Sequence, residues 1–180
     1  MKVIVITLPT FFESEALKIE DFLRKGVAHT IHLRKPSATC SEMEALIRRI
    51  PTDLHRHLVI HDHFELARKY NLLGVHLNRR NPSPPEDWQG SVSRSCHSLQ
   101  EVEEWKARCD YVSLSPIFDS ISKEGYKAAF TNEVLEQARK GGIIDHRVMA
   151  LGGVTFERLE DVREMGFGGA MILGDAWKDI

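Results

Sequence analysis

Short runs rich in Val, Ile and Leu recur along the chain and alternate with amphipathic stretches, the pattern of strands buried on both faces of a parallel sheet. Eight runs stand out, at 3–8, 29–33, 58–61, 74–77, 91–95, 111–114, 148–151 and 170–173. Helical spacing fills the gaps: Leu17, Phe22 and Leu23; Met43, Leu46 and Ile50; Leu99, Val102 and Trp105; Val134, Leu135 and Ala138; Phe156, Leu159 and Val162. Each stripe provides an apolar face that can lie on a sheet. Ser41 with Glu44 and Ser98 with Glu101 have the spacing of capping boxes, in which hydroxyl and carboxylate satisfy the first free amides of a helix. The stretch 81–88, NPSPPEDW, holds three prolines and predicts a loop with at most one turn as the fourth crossover.

Eight strands alternating with helices predict an α/β fold, a compact (β/α)8 TIM barrel forming one domain over 1–180. Such barrels run to about 250 residues, so this one is stripped down. Its fourth crossover is abbreviated, and the chain stops just after the eighth run, with room for only the first turn of a closing helix. The expectation is either a truncated last helix or a partner, such as the second copy of a homodimer, covering that seam. An open flavodoxin-like sheet is the rival architecture, and it has too few strands.

Composition narrows the function class. The chain is 42% hydrophobic and 28% charged, ordinary for a soluble globular domain. Lys and Arg total 24 against 26 Asp and Glu, a formal net charge of -2, so no basic excess points to nucleic acid or an anionic membrane. Small molecules are the expected partners. Cys40, Cys96 and Cys109 match neither a zinc ribbon nor a redox pair, which suits a reduced, cytoplasmic compartment. The N-terminal apolar run is broken by Pro9 and reads as a strand rather than an export signal. No run approaches the roughly 20 residues that span a bilayer.

In a barrel the chemistry sits where the strands end, so polar residues there are the informative ones. Alternation along the second strand puts His32 and Arg34 on one face, and the guanidinium fork of Arg34 suits phosphate oxygens. After the third strand comes His61-Asp62-His63, in which Asp62 either binds a metal or caps the helix that begins near Phe64. His76 lies within an apolar strand and reads as a hydrogen-bonded structural histidine, while His55 and His57 read as solvated loop residues. Ser95 sits where the fifth strand runs towards a helix start, a place for anion binding by amides. The hydroxyl-rich loop 115–126 carries Ser120, Ser122 and Lys123 and has the character of a lid. Gly152 and Gly153 follow the seventh strand and Gly174 the eighth, where backbone amides of this fold approach a phosphate.

In order, the segments HLRK, VIHDHFELA, LLGVHL, SRSCHSLQEV, DYVSLSPIFDSISK and VMALGGVTFERLEDVREMGFGGAMI resemble the thiamine phosphate synthase/TenI family over most of the chain. The resemblance implies a role in thiamine biosynthesis. The synthases of that family join hydroxymethylpyrimidine diphosphate to thiazole phosphate and release diphosphate with magnesium; its tautomerases aromatise a thiazole phosphate carboxylate. Carried over residue by residue, Arg34, Ser95 and Lys123 match diphosphate contacts, Asp62 a Mg2+ carboxylate, and Ser120, Ser122 and Gly153 the thiazole phosphate cradle. Four departures stand out. Pro36 replaces a lysine, His61 an asparagine, Asn81 the second magnesium carboxylate, and His32 a glutamine. The tautomerase acid/base histidine aligns with Pro116, which leaves His32 as an alternative proton shuttle. Three readings follow: a synthase, a thiazole tautomerase, or a non-catalytic binder of phosphorylated ligands.

Overall fold

The computed structural model describes residues 1–119 and 128–180. Its strands are β1 (Lys2–Ile6), β2 (Thr30–Leu33), β3 (Leu58–Ile60), β4 (Gly74–Leu77), β5 (Ser91–Cys96), β6 (Tyr111–Leu114), β7 (Val148–Ala150) and β8 (Gly169–Ile172). They follow one another in chain order in a closed barrel. The expected (β/α)8 architecture is therefore present, and each of the eight apolar runs coincides with a strand to within two residues. The helices are α1 (Glu15–Arg24), α2 (Cys40–Arg49), α3 (Glu65–Lys69), α4 (Leu99–Lys106), α5 (Asn132–Lys140) and α6 (Leu159–Glu164). As the prolines dictate, no helix forms between β4 and β5. After β8 the chain makes only a short 3-10 turn, Gly174–Trp177, which buries Ala176 and Trp177.

Two compact units can be described, residues 4–92 and residues 1–3 with 93–180. In the first, Ile6 pairs with His32, His32 with Val59, and Ile60 with Val75, all parallel. In the second, Ser95 pairs with Ser113, Leu114 with Ala150, and Ala150 with Ala170. β2, β3, β4, β6, β7 and β8 are buried at every position, as expected when both faces of a parallel sheet are covered.

Several local expectations are corrected. The α2 capping box is made by Thr39 and Glu42, not Ser41 and Glu44; Ser41 lies inside the helix. At α4, Ser98 accepts from the Glu101 amide, but the Glu101 carboxylate accepts from the His97 amide, so only the hydroxyl half of that box forms. The buried face of α1 is Glu15, Ala16 and Ile19, leaving Leu17 69% exposed. In α5 Leu135 and Ala138 are buried and Val134 is exposed. His55 is no loop residue: it lies buried in a 3-10 turn, with its ring nitrogens 3.0–3.2 Å from the carbonyl oxygens of Ile47, Ile50 and Tyr70.

Candidate active site

Parallel pairing fixes which side chains share a face. His32 pairs with Val59, two residues before His61, and the Ile60–Val75 pair brings His61 beside His76. Arg34 is two residues beyond His32 and continues the same face. Thr7, just past β1, fixes the Arg34 backbone: its Oγ1 accepts from the Arg34 amide at 2.9 Å and donates to the Arg34 carbonyl at 3.3 Å. The half-buried Arg34 thus leaves the sheet from a clamped main chain.

The next residue, Lys35, turns the other way. Its side chain is fully buried and donates at 2.6 Å to both Glu15 Oε1 and the Thr10 carbonyl, with the Phe11 ring 4.6 Å from Nζ. Glu15 is equally buried, and its Oε2 makes no hydrogen bond among the described residues. Burial raises the Glu15 pKa and lowers that of Lys35, each against the pull of its partner. The pair ties the start of α1 to the end of β2, behind Arg34.

Asp62 neither caps α3, whose N-cap is Phe64, nor stands free for a metal. Arg80 grips both carboxylate oxygens, at 3.0 and 2.9 Å, and Asn81 Nδ2 donates to Oδ1 at 2.8 Å and to the His61 carbonyl at 3.1 Å. Two acceptor partners fix the Asn81 nitrogen on this side, so the amide turns a donor, not an oxygen, towards Asp62. Asn78 completes the group by donating to the His61 carbonyl at 2.7 Å and accepting from the amides of Arg80 and Asn81. Magnesium needs hard oxygen ligands. One carboxylate already neutralised by a guanidinium, beside an amide presenting nitrogen, does not fit that ion.

His32, His61 and His76 are buried together. His32 Nδ1 lies 2.9 Å from His61 Nε2, and the His61 and His76 rings stack with centroids 4.2 Å apart. The pKa of His61 falls well below its ordinary value because burial penalises the charged ring, and His76, His32, Arg34 and Arg80 add to the effect. His76 is therefore one of a cluster rather than an isolated core histidine.

In the second unit, Gly152 and Gly153 follow β7 with φ of 90° and 64°. A Cβ at Gly152 would lie 2.7 Å from Pro116 Cα, and one at Gly153 only 2.3 Å from the Asp119 carbonyl oxygen. Only glycine satisfies both the backbone conformation and this approach. The turn is held by amides of Ile117 and Phe118 donating to the carbonyls of Leu151 and Gly152 at 2.9 and 3.0 Å. Ser95 is half-buried on β5, within 3.5 Å of the Ser113 hydroxyl. Gly174 is exposed at the start of the last 3-10 turn, whose Asp175 accepts from the Phe156 amide at 2.9 Å. Ser120, Ser122 and Lys123 lie outside the described residues.

Sequence reasoning missed Thr7, Glu15, Lys35 and Arg80. A cation and an acid in the loops after adjacent strands β3 and β4 were the available signal for Arg80.

A closed parallel barrel of eight strands with a glycine turn after β7 defines a (β/α)8 TIM-barrel protein. The family model described as thiamine monophosphate synthase matches residues 3–174, and the chain belongs to that family. A solved thiamine phosphate pyrophosphorylase from Bacteroides thetaiotaomicron is 45% identical, with the match covering 100% of this chain and 86% of that one at a TM-score of 0.90. A curated thiamine-phosphate synthase from the same organism is 27% identical over 183 residues, covering 92% of this chain and 82% of the relative. The thiamine phosphate pyrophosphorylase of Pyrococcus furiosus, 22% identical and covering 96% and 85%, shares the fold with a TM-score of 0.72.

Proposed function

We propose that this chain is a thiamine phosphate synthase that joins hydroxymethylpyrimidine diphosphate to thiazole phosphate. The observation that supports the reading is the Gly152-Gly153 turn after β7, where phosphate sites of this fold recur and where the positive φ and the close packing on Pro116 and Asp119 admit only glycine. In the reaction the thiazole nitrogen attacks the pyrimidine methylene carbon while the carbon–oxygen bond to diphosphate breaks and the diphosphate carries away the electron pair. Positive charge develops on the pyrimidine and negative charge on the leaving group. Preorganised cations lower the barrier by meeting that charge in place. Arg34, held through Thr7, and Arg80, held on Asp62, supply it, together with the hydroxyl of Ser95 and the ammonium of Lys123. The thiazole phosphate is bound by Gly152, Gly153 and Gly174 with Ser120 and Ser122.

Synthases of this family generally work with magnesium, but Asp62 and Asn81 as arranged here do not fit that ion, and no role of the residues named depends on it. The ligands are phosphorylated thiazole and pyrimidine compounds. No helix among the described residues is long and apolar enough to cross a membrane, and the protein is assigned to the cytoplasm on its cysteine pattern. A homodimer covering the region after β8 belongs to the same reading.

Separate calorimetric titrations test the assignment. Gly153→Ala is expected to abolish thiazole phosphate binding and spare the pyrimidine diphosphate, and Arg34→Ala to do the reverse. Equal loss of both ligands in each variant, with the fold intact, contradicts it. The tautomerase reading assigns acid/base work to His32; retention of full tautomerase activity by His32→Ala removes it.

A further inference from the structure

We propose that His32, His61 and His76 form a binding site for a divalent transition metal of the zinc class, with a fourth position open to an anionic oxygen ligand. The proposal does not depend on synthase activity. All three rings lie in the unit 4–92 and are 0%, 5% and 1% exposed. One ligand nitrogen from each can be chosen so that all lie within 4.8 Å of one another. Zinc–nitrogen bonds of about 2.0–2.1 Å in a tetrahedral site place the ligand atoms about 3.4 Å apart. The His32–His61 pair at 2.9 Å is already closer than that. Bringing the third nitrogen to the same spacing takes a ring displacement on the order of 1 Å, within reach of a histidine side chain turning on its two torsions.

The chemistry of the donors selects the ion. Three imidazoles suit zinc, nickel or copper and are poor ligands for magnesium, which prefers oxygen. Metal binding would replace the His32–His61 hydrogen bond: the donor ring moves its proton to its other nitrogen, and both facing nitrogens then offer a lone pair. Arg34 and Arg80 are near enough for their charge to act on His61. Their field favours a negatively charged fourth ligand, such as a phosphate oxygen or hydroxide, over a second metal. Asp62, one residue beyond His61 and gripped by Arg80, lies outside this ligand set and anchors the strand end that carries it.

The test uses the full chain, stripped of metal by chelation and titrated with Zn2+ against a chromophoric chelator. One equivalent bound by the wild type is expected. His61→Asn and His32→Gln should each weaken binding by at least the roughly 10–100-fold that disturbing even an outer-shell partner costs. Cys40→Ser should change nothing, because the partly exposed trio Cys40, His63 and Glu65 is the competing set. Far-UV circular dichroism checks folding of each variant. Cobalt substitution in the wild type decides independently: visible bands of a four-coordinate nitrogen site are expected, without a thiolate charge-transfer band. No zinc bound, affinity unchanged in both histidine variants, or a thiolate band that disappears with Cys40→Ser overturns the proposal.

Discussion

Replacing Lys35 by Met removes a buried ammonium but keeps an unbranched side chain of similar reach in its place, which isolates the charge from the packing. Glu15 then remains, fully buried, with its ion-pair and hydrogen-bond partner gone. Breaking one side of such a pair is costly because the leftover charge has neither water nor counter-ion. The carboxyl can escape by taking a proton. Its ordinary pKa is 4.5, so holding it neutral at pH 7 costs about 2.5 pH units at about 1.36 kcal/mol each, about 3.4 kcal/mol. This agrees with the roughly 3–5 kcal/mol measured when buried pairs are broken elsewhere.

The pH dependence has a definite sign. A group whose folded pKa is raised contributes stability below its unfolded value and loses it as pH rises. Relative to wild type, the variant's deficit should therefore shrink to about 0.7 kcal/mol at pH 5 and grow towards neutrality. Urea unfolding followed by circular dichroism from pH 5 to pH 8 measures this directly. Combining Lys35→Met with Glu15→Leu should recover most of the loss, since no charge is then stranded. A deficit under about 1 kcal/mol at pH 7, or one flat across this range, refutes the reasoning.

Other expectations follow from the same geometry. Arg80→Ala frees Asp62 and removes a cation assigned to diphosphate, so turnover should fall about 10–100-fold, the equivalent of losing a charge-assisted bond of roughly 1.5–3 kcal/mol. Steady-state kinetics with varied pyrimidine diphosphate checks it, and unchanged kinetics removes Arg80 from the site. Burial pushes the thiols of Cys96 and Cys109 up to about 12 and about 11, whereas Cys40 is half-exposed. A chromogenic disulfide reagent should therefore titrate one thiol in the native chain and three in denaturant. His55→Ala removes a buried ring whose nitrogens lie 3.0–3.2 Å from the carbonyl oxygens of Ile47, Ile50 and Tyr70. It should cost roughly 1–3 kcal/mol in urea unfolding, whereas a solvated loop histidine would cost nothing measurable.

The strands were legible because burial on both faces leaves little choice but Val, Ile and Leu, and the proline-rich 81–88 could only be a loop. Helix faces were harder. Leu17 looks like a core residue of α1, yet Glu15, Ala16 and Ile19 face inward because the helix is rotated to deliver Glu15 to Lys35. That pairing spans twenty positions and leaves no periodic trace. Asp62 shows the same limit. Its local sequence fits a helix cap, and only the pairing of β3 with β4 brings Arg80 and Asn81 to it. Arg34 was legible from strand alternation alone, but its clamp by Thr7 was not, since it depends on the pairing of β1 with β2. The glycine turn was found because its position after the seventh strand carries meaning in this fold.

The most direct test is to incubate the purified protein with thiazole phosphate and hydroxymethylpyrimidine diphosphate, with and without magnesium, and to follow products by mass spectrometry. Thiamine phosphate formed together with stoichiometric diphosphate is the predicted result. Absence of condensed product under both conditions, while the thiazole carboxylate is isomerised in a parallel incubation, contradicts the account and makes the barrel a tautomerase.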